Sequence, residues 1–335
     1  MTPASSLSQN ILQEAYRASA SDIHFFPYAN QTSIYFRVLG ERIFHRNITY
    51  SEYQLLLTYY KFTSGMDIGE IRKPQNGIIS EIIDHMNVSV RLSTLPVYHM
   101  ESLAIRILPQ NESDSLDSLF LFDVQRRHIQ KFLNYRNGII LLTGPTGSGK
   151  TTTLYALLRD VVSHKSLQAI TLEDPVEKEL ADILQVEVNE RAGITYHTGL
   201  KAALRHDPDL IMVGEIRDRK TAQFAFEAAL TGHLIISTIH AKNTFETIPR
   251  LLDLGVNKEY IHQTLVTVMA LELLPIIQHE HINRRAAIVE LLEGDILKQW
   301  IQGKNVSHQH HNQSFHHLRK KAYAYGFIAD QSYFS

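Results

Sequence analysis

The run "GIILLTGPTGSGKTTTLYALL", residues 138–158, limits the fold of this chain more than any other stretch. An apolar strand has to end at Thr143, a glycine-rich turn has to follow, and a helix has to start near Lys150. Gly144, Gly147 and Gly149 allow backbone conformations that aim N–H groups at phosphate oxygens, and the helix start adds its partial positive charge. Pro145, Thr146 and Ser148 complete the cradle. Lys150 is placed for the β- and γ-phosphates of a nucleotide, Thr151 for Mg²⁺, and Thr152 follows on the first helical turn. ATP and Mg²⁺ are therefore the expected ligands. What the turnover serves has to be read from the rest of the chain.

A strand that feeds a phosphate loop belongs to an α/β sheet, and the sequence after Phe120 supports one. Short apolar runs ("AITLED", "ILQVEV", "DLIMVGE", "HLIISTIH") alternate with helical patterns ("TGLKAALRH", "TAQFAFEAALTG"). Helices are expected over 244–274, a strand at "AAIVELLEG", and a His-rich tail closes the chain. Before Phe120 the texture differs. Leu7, Ile11, Leu12 and Ala15 mark a helix, "SDIHFFP" and "SIYFRVLGERIF" read as strands with a hairpin at Leu39–Glu41, and residues 51–65 form a second helix. "PQNG" (74–77) reads as a turn, and three further β-rich runs follow. These patterns divide the chain into an α/β domain over 1–108, a polar linker over 109–118 and an α/β domain over 119–335.

Composition narrows the class. The 335 residues carry a formal net charge of −2, so there is no overall basic field for nucleic acid. The absence of cysteine excludes disulfides and thiolate chemistry. "MTPASSLSQN" has no secretory pattern, and no apolar window reaches the roughly 20 residues of a membrane span. A cytoplasmic chain that meets a membrane only through a partner is expected.

Other residues fit around the loop. "DLIMVGEIRD" ends an apolar strand in Gly214 and Glu215, where a phosphate-loop enzyme keeps an acid near metal and water. A Glu here, rather than Asp, suits a water-orienting or base role. "LEDPVE" gathers Glu173, Asp174 and Glu177 after another apolar strand, the end at which α/β sheets bind ligands. His233 and His240 bracket "LIISTI" and are candidates for sensing the phosphate, against the plain alternative of structural histidines. Arg37, Arg91 and Arg106 sit inside apolar β-runs, where a buried guanidinium calls for an anion. Arg191, Arg205 and Arg217 add basic residues in the second domain. His308, His310, His311, His316 and His317 lack the carboxylate or cysteine of a closed metal site.

"GPTGSGKTT", "LEDPVE", "LRHDPDLIMVGEIRD" and "TGHLIISTIHA" together resemble the Walker A, Asp box, Walker B and His box of the type II secretion and type IV pilus ATPases. "ASDIHFFP", "FRVLGE", "PQNGIIS", "VRLSTLP" and "LAIRIL" resemble the PAS-like N-terminal domain of that family. The resemblance runs over residues 18–294, and the loop "AGITYHTGLKAALRHDPD" is closer to assembly and secretion members than to retraction members. Small size and the absence of a four-Cys motif are similar to the competence pilus ATPases of Gram-positive bacteria. The resemblance implies a PAS-like domain joined to a RecA-like P-loop ATPase domain, working as a homo-hexamer on a polytopic inner-membrane platform protein. It implies Glu177 as the Asp-box glutamate, Glu215 as the Walker B glutamate, and His233 and His240 as His-box residues. Arg37, Arg91, Arg106 and Arg191 match positions that reach the phosphates, and Thr151, Glu173 and Glu215 are the expected metal set. Pilus assembly for DNA uptake is the implied role. Generic secretion, pilus retraction or a DNA-translocating motor remain alternatives, and direct nucleic-acid binding is not expected.

Overall fold

In the computed structural model, which describes residues 2–98, 100–109, 115–165, 167–278, 281–304, 306 and 314–329, helix α1 (Pro3–Arg17) starts where the Thr2 hydroxyl accepts from the Ser5 N–H. Helix α2 (Tyr50–Thr63) starts at a capping box. The Thr49 hydroxyl accepts from the Glu52 N–H, and the Glu52 carboxylate accepts from the Thr49 N–H at 2.8 Å. Both helices belong to the first of two compact units, Met1–Glu112 and Ser113–Ser335.

The first unit is a six-stranded antiparallel sheet. Its strands are β1 (Ala20–Pro27), β2 (Gln31–Val38), β3 (Glu41–Thr49), β4 (Gln75–Ile83), β5 (Met86–Val97) and β6 (Met100–Pro109), ordered β3-β2-β1-β6-β5-β4. Alternation along the strands sends Ile23, Phe25, Ile34, Phe36, Val90, Leu92, Leu103 and Ile105 to one face, where they pack on Ile11, Leu12, Tyr53, Leu56 and Tyr60. Under α2 lies a buried ion pair: Lys61 Nζ donates to Glu101 Oε2 at 2.5 Å and to the Glu70 carbonyl at 2.8 Å.

The other face of the sheet carries a charged row. Register sets Arg91, Arg106, Asp22, Arg37 and Arg42 side by side across β5, β6, β1, β2 and β3. Asp22 meets Arg106 at 2.9 Å and Arg37 at 4.0 Å, and the two guanidinium side chains are 53% and 41% exposed. Arg37 and Arg106 are therefore not buried in apolar strands as expected. Strand alternation turns them outward. A second correction concerns "PQNG". Gln75, Asn76 and Gly77 already pair with β5, and the Gln75 amide holds the preceding loop through the Asp67 and Glu70 carbonyls.

The second unit is built on a seven-stranded sheet ordered β13-β12-β7-β11-β10-β8-β9. The strands are β7 (Gly138–Thr143), β8 (Ala169–Glu173), β9 (Leu184–Glu187), β10 (Leu210–Ile216), β11 (Leu234–Ile239), β12 (Leu265–Gln278) and β13 (His281–Glu293). All neighbours run parallel except β12 and β13. Helices α3 (Leu116–Leu119), α4 (Asp123–Phe132) and α5 (Lys150–His164) cover one face. The other is covered by α6 (Tyr196–Ala203), α7 (Arg219–Leu230), α8 (Thr247–Asp253), α9 (Lys258–Thr264) and α10 (Gly294–Ile301). Ile140, Leu142 and Met212 enter the first core, while Ile139, Leu141 and Val213 enter the second. That two-sided burial is why these strands read as unbroken apolar runs. The helical expectation over 244–274 holds for α8 and α9 only. From Leu265 the chain pairs with β7 and β13, and the β-branched Val266, Thr267 and Val268 favour that outcome.

Half of the expected linker, 110–114, and His308, His310 and His311 lie outside the described residues. His316 and His317 are in α11 (Phe315–Ala324). Among the described residues no helix is long and apolar enough to cross a membrane.

Candidate phosphate and metal site

Parallel register brings one end of four strands together. Leu172, Val213, Ser237 and Leu141 stand abreast, so the carboxyl ends of β8, β10, β11 and β7 release Glu173, Glu215, His240 and Gly144 along one edge. Open α/β sheets bind ligands at this edge.

The loop after β7 has the conformation that phosphate binding needs. Gly144, Gly147 and Gly149 all have positive φ, and a Cβ on Gly144 would stand 2.8 Å from both the Leu271 carbonyl and Ser148 Oγ. Gly149 ends the loop at φ +91° and α5 begins at Lys150, so the first N–H groups of the helix face the loop. Ser148 Oγ is buried with no hydrogen-bond partner, and Lys150 Nζ donates to the Gly144 and Pro145 carbonyls at 2.9 Å each. Burial holds the Lys150 ammonium below its ordinary range, although the nearby Glu215 carboxylate works against this. A nest of N–H groups, an orphaned hydroxyl and a desolvated cation fit phosphate oxygens well. Pro145 and Thr146 line the turn, and Thr151 and Thr152 lie on the first turn of α5.

Glu215 is the acidic centre of the edge. Its side chain is 14% exposed, it pairs with Arg217, and His240 Nε2 stands 3.5 Å from Oε2. The bond to Glu215 raises the Arg217 guanidinium above its usual range. Tyr196 closes the other side, its hydroxyl pushed up by burial and by the Glu215 and Asp174 carboxylates. Among the described residues no group of three or more His, Asp or Glu side chains is set to hold a metal. A hydroxyl and one carboxylate, Thr151 and Glu215, are the donor types Mg²⁺ uses when phosphates supply the other oxygens.

Glu173, expected in the metal set, is fully engaged elsewhere. It is buried at 4% exposure, and its carboxylate accepts from the Tyr155 hydroxyl, the Thr171 hydroxyl at 2.5 Å and the Gln185 amide at 3.1 Å. Tyr155 also receives the Glu177 N–H at 3.1 Å, and Gln185 fixes the loop between them through the Leu180 N–H and the Lys178 carbonyl. Glu177 thus sits on a loop hung from a buried polar network.

The two histidines are separated. His233 precedes β11 and His240 follows it, so they lie at opposite ends of a six-residue strand, about 20 Å apart. The His233 ring meets the Ala228 carbonyl and the Thr231 hydroxyl at 3.2 Å, and its carbonyl accepts from the Gly138 N–H. Within this chain His240 joins the phosphate edge and His233 does not. Arg191 lies in the turn Glu190–Ala192, with its side chain outside what the structure describes, and Arg205 lies in the turn Leu204–His206. Arg37, Arg91 and Arg106 share the outer face of the first unit. Sequence reading missed Tyr155, Gln185 and Tyr196. A tyrosine among the apolar residues on the buried side of a helix, beside Leu154 and Leu157, was the available signal, because its hydroxyl needs a partner.

A family model described as type II/IV secretion system protein matches residues 1–311. The competence protein ComGA of Bacillus subtilis (strain 168) is 41% identical over 341 residues, spanning 98% of this chain and 96% of that protein. Two solved structures share the fold. The Legionella pneumophila ATPase DotB gives a TM-score of 0.79 at 23% identity, covering 99% of this chain and 95% of its own. The pilus retraction motor PilT with bound ADP gives 0.73 at 26%, covering 97% and 95%.

Proposed function

Because the chain belongs to the type II/IV secretion system protein family, and is on that account an ATP hydrolase with a RecA-like fold, we propose that it is the Mg²⁺-dependent motor of a competence pilus. The observation that carries the reading is the convergence of Lys150, Glu215 and His240 on one sheet edge beside a phosphate loop. Residues Gly144 to Thr152 hold the triphosphate, all but Pro145 having a backbone N–H to donate, with Lys150 exchanging its two carbonyl partners for phosphate oxygens. Thr151 and Glu215 hold Mg²⁺, which when bound supplies charge neutralisation at the phosphates. Glu215 orients water, steadied by Arg217 and His240. Glu177 is the second catalytic carboxylate. Glu173 acts on the metal through its charge, since its oxygens are already taken.

Arg37, Arg91 and Arg106 form an anion-attracting row, and Arg191 is a further phosphate candidate. In a hexameric ring these arginines close over the nucleotide, and the resulting domain movement drives a polytopic membrane platform protein that adds pilin. The 41% identity to a competence protein over nearly the full length supports DNA uptake as the process served. The chain itself need not bind DNA.

ATP turnover by the purified chain tests the chemistry. Lys150→Ala is expected to lower it more than 100-fold. Glu215→Gln should lower it by about 10²–10³ while leaving nucleotide binding in place. Wild-type turnover in either variant refutes the site. Normal transformation and surface pilin in a strain carrying only Lys150→Ala refutes the competence role.

A further inference from the structure

The Tyr155 hydroxyl is one oxygen that touches two parts of the site. Tyr155 lies on α5, five residues after Lys150, and is buried among Leu154, Leu157 and Leu158. Its hydroxyl donates to the Glu173 carboxylate and accepts the Glu177 N–H at 3.1 Å. Burial and the Glu173 charge push this phenol well above its ordinary range, so it remains a donor at every pH the protein experiences.

The loop that carries Glu177 is held at other points as well. Gln185 holds it at Lys178 and Leu180, and the Val176 N–H reaches Glu187 at 3.3 Å. The tyrosine joins the loop to α5, the helix whose first turn carries Lys150 and Thr151. We propose that Tyr155 is a positioning residue for hydrolysis, fixing the Glu177 backbone relative to the phosphate loop through its hydroxyl. The inference rests on the reading of Glu177 as a catalytic carboxylate. The phenol itself takes no part in bond making. It sets where the Glu177 side chain starts from, and a shift of about 1 Å in such a group is enough to slow a reaction markedly.

Tyr155→Phe keeps the ring and removes only the bridging oxygen. Steady-state and single-turnover ATP hydrolysis by the full chain are measured for this variant, for Glu177→Asp, and for the double variant. The expected result is a kcat about tenfold lower in Tyr155→Phe, with KM for ATP and binding of a fluorescent nucleotide unchanged within twofold. In the Glu177→Asp background the same change should cost less than twofold, because its effect runs through Glu177. Wild-type kcat in Tyr155→Phe overturns the inference, as does a full tenfold loss in both backgrounds. A merely structural role would lower the urea midpoint and leave kcat per folded molecule intact, which also overturns it. Lys150→Ala separates the two levels of argument. If that variant hydrolyses ATP like wild type, the assignment of the phosphate loop fails. If it is inactive while Tyr155→Phe is normal, only the role of the tyrosine fails.

Discussion

Glu101 in the first unit and Glu173 in the second are both buried, and they are satisfied in opposite ways. Glu101 in the first unit, 3% exposed, is met by a cation, with Lys61 Nζ at 2.5 Å and its Oε1 left without a partner. Among the described residues, Glu173 in the second unit, 4% exposed, is met by three neutral donors and no cation. A cation cancels the carboxylate's field, while hydroxyls and an amide stabilise the charge without cancelling it. The first arrangement ties α2 to β6 and to the loop at Glu70. The second keeps a negative charge at the strand edge that carries the phosphate loop. On the proposed reading, the difference separates a carboxylate used as a staple from one used for its field.

Removing the cation is the harshest test. Lys61→Met strands a buried carboxylate and should lower the stability of the first unit by about 3–5 kcal/mol in urea unfolding. Lys61→Met with Glu101→Gln should recover most of that loss. If the single variant costs under about 1 kcal/mol, Glu101 is not held by its cation and the contrast collapses. The matching test in the second unit, Glu173→Gln, should act mainly on function. The Mg²⁺ needed for half-maximal ATP turnover should rise about tenfold, equivalent to ~1.4 kcal/mol, with a stability loss below about 2 kcal/mol. An unchanged Mg²⁺ requirement would make Glu173 a staple like Glu101.

The smallest effect concerns the first unit's open face. His24 has a ring nitrogen, Nε2, that is buried and unpaired. Burial holds its pKa below the ordinary 6.5. Asp22 opposes that shift, and Arg37, Arg42 and Arg106 reinforce it. With the folded-state pKa below the unfolded one, the unfolded chain takes up the proton first, so stability falls as pH drops through 6.5. His24→Asn should flatten the urea midpoint of the first unit between pH 7 and pH 5 relative to wild type. An unaltered pH profile would assign that dependence to groups other than the open face.

The phosphate loop, its strand and its helix were legible because one short pattern specifies backbone, charge and dipole together. Glu215 was legible for a related reason: an apolar strand ending in an acid can place that acid only at the strand's carboxyl edge. The arginines were harder. Their strands were recognised, but an Arg flanked by apolar residues was read as buried, when period-two alternation sends Arg37 and Arg106 to the open face. β12 was read as helix because an apolar run has no period with which to choose, and its partners, β7 and β13, are separate segments of the chain. The network around Glu173 joins positions 155, 171, 173 and 185, and nothing in local sequence signals that Gln185 faces it.

The charged row of the first unit has a consequence for the order of folding. Arg37 and Arg42 come together through a local hairpin, and Arg91 and Arg106 through neighbouring strands. Asp22 joins the halves only when β1 pairs with β6, bringing it to Arg106 across 84 positions of sequence. Closing so long a loop is entropically costly, and such pairings limit folding rates. In every partly folded form without that pairing, the row exists as two separate pieces. An anion that needs the whole row therefore binds only the completed sheet, and by mass action it stabilises that sheet against reopening.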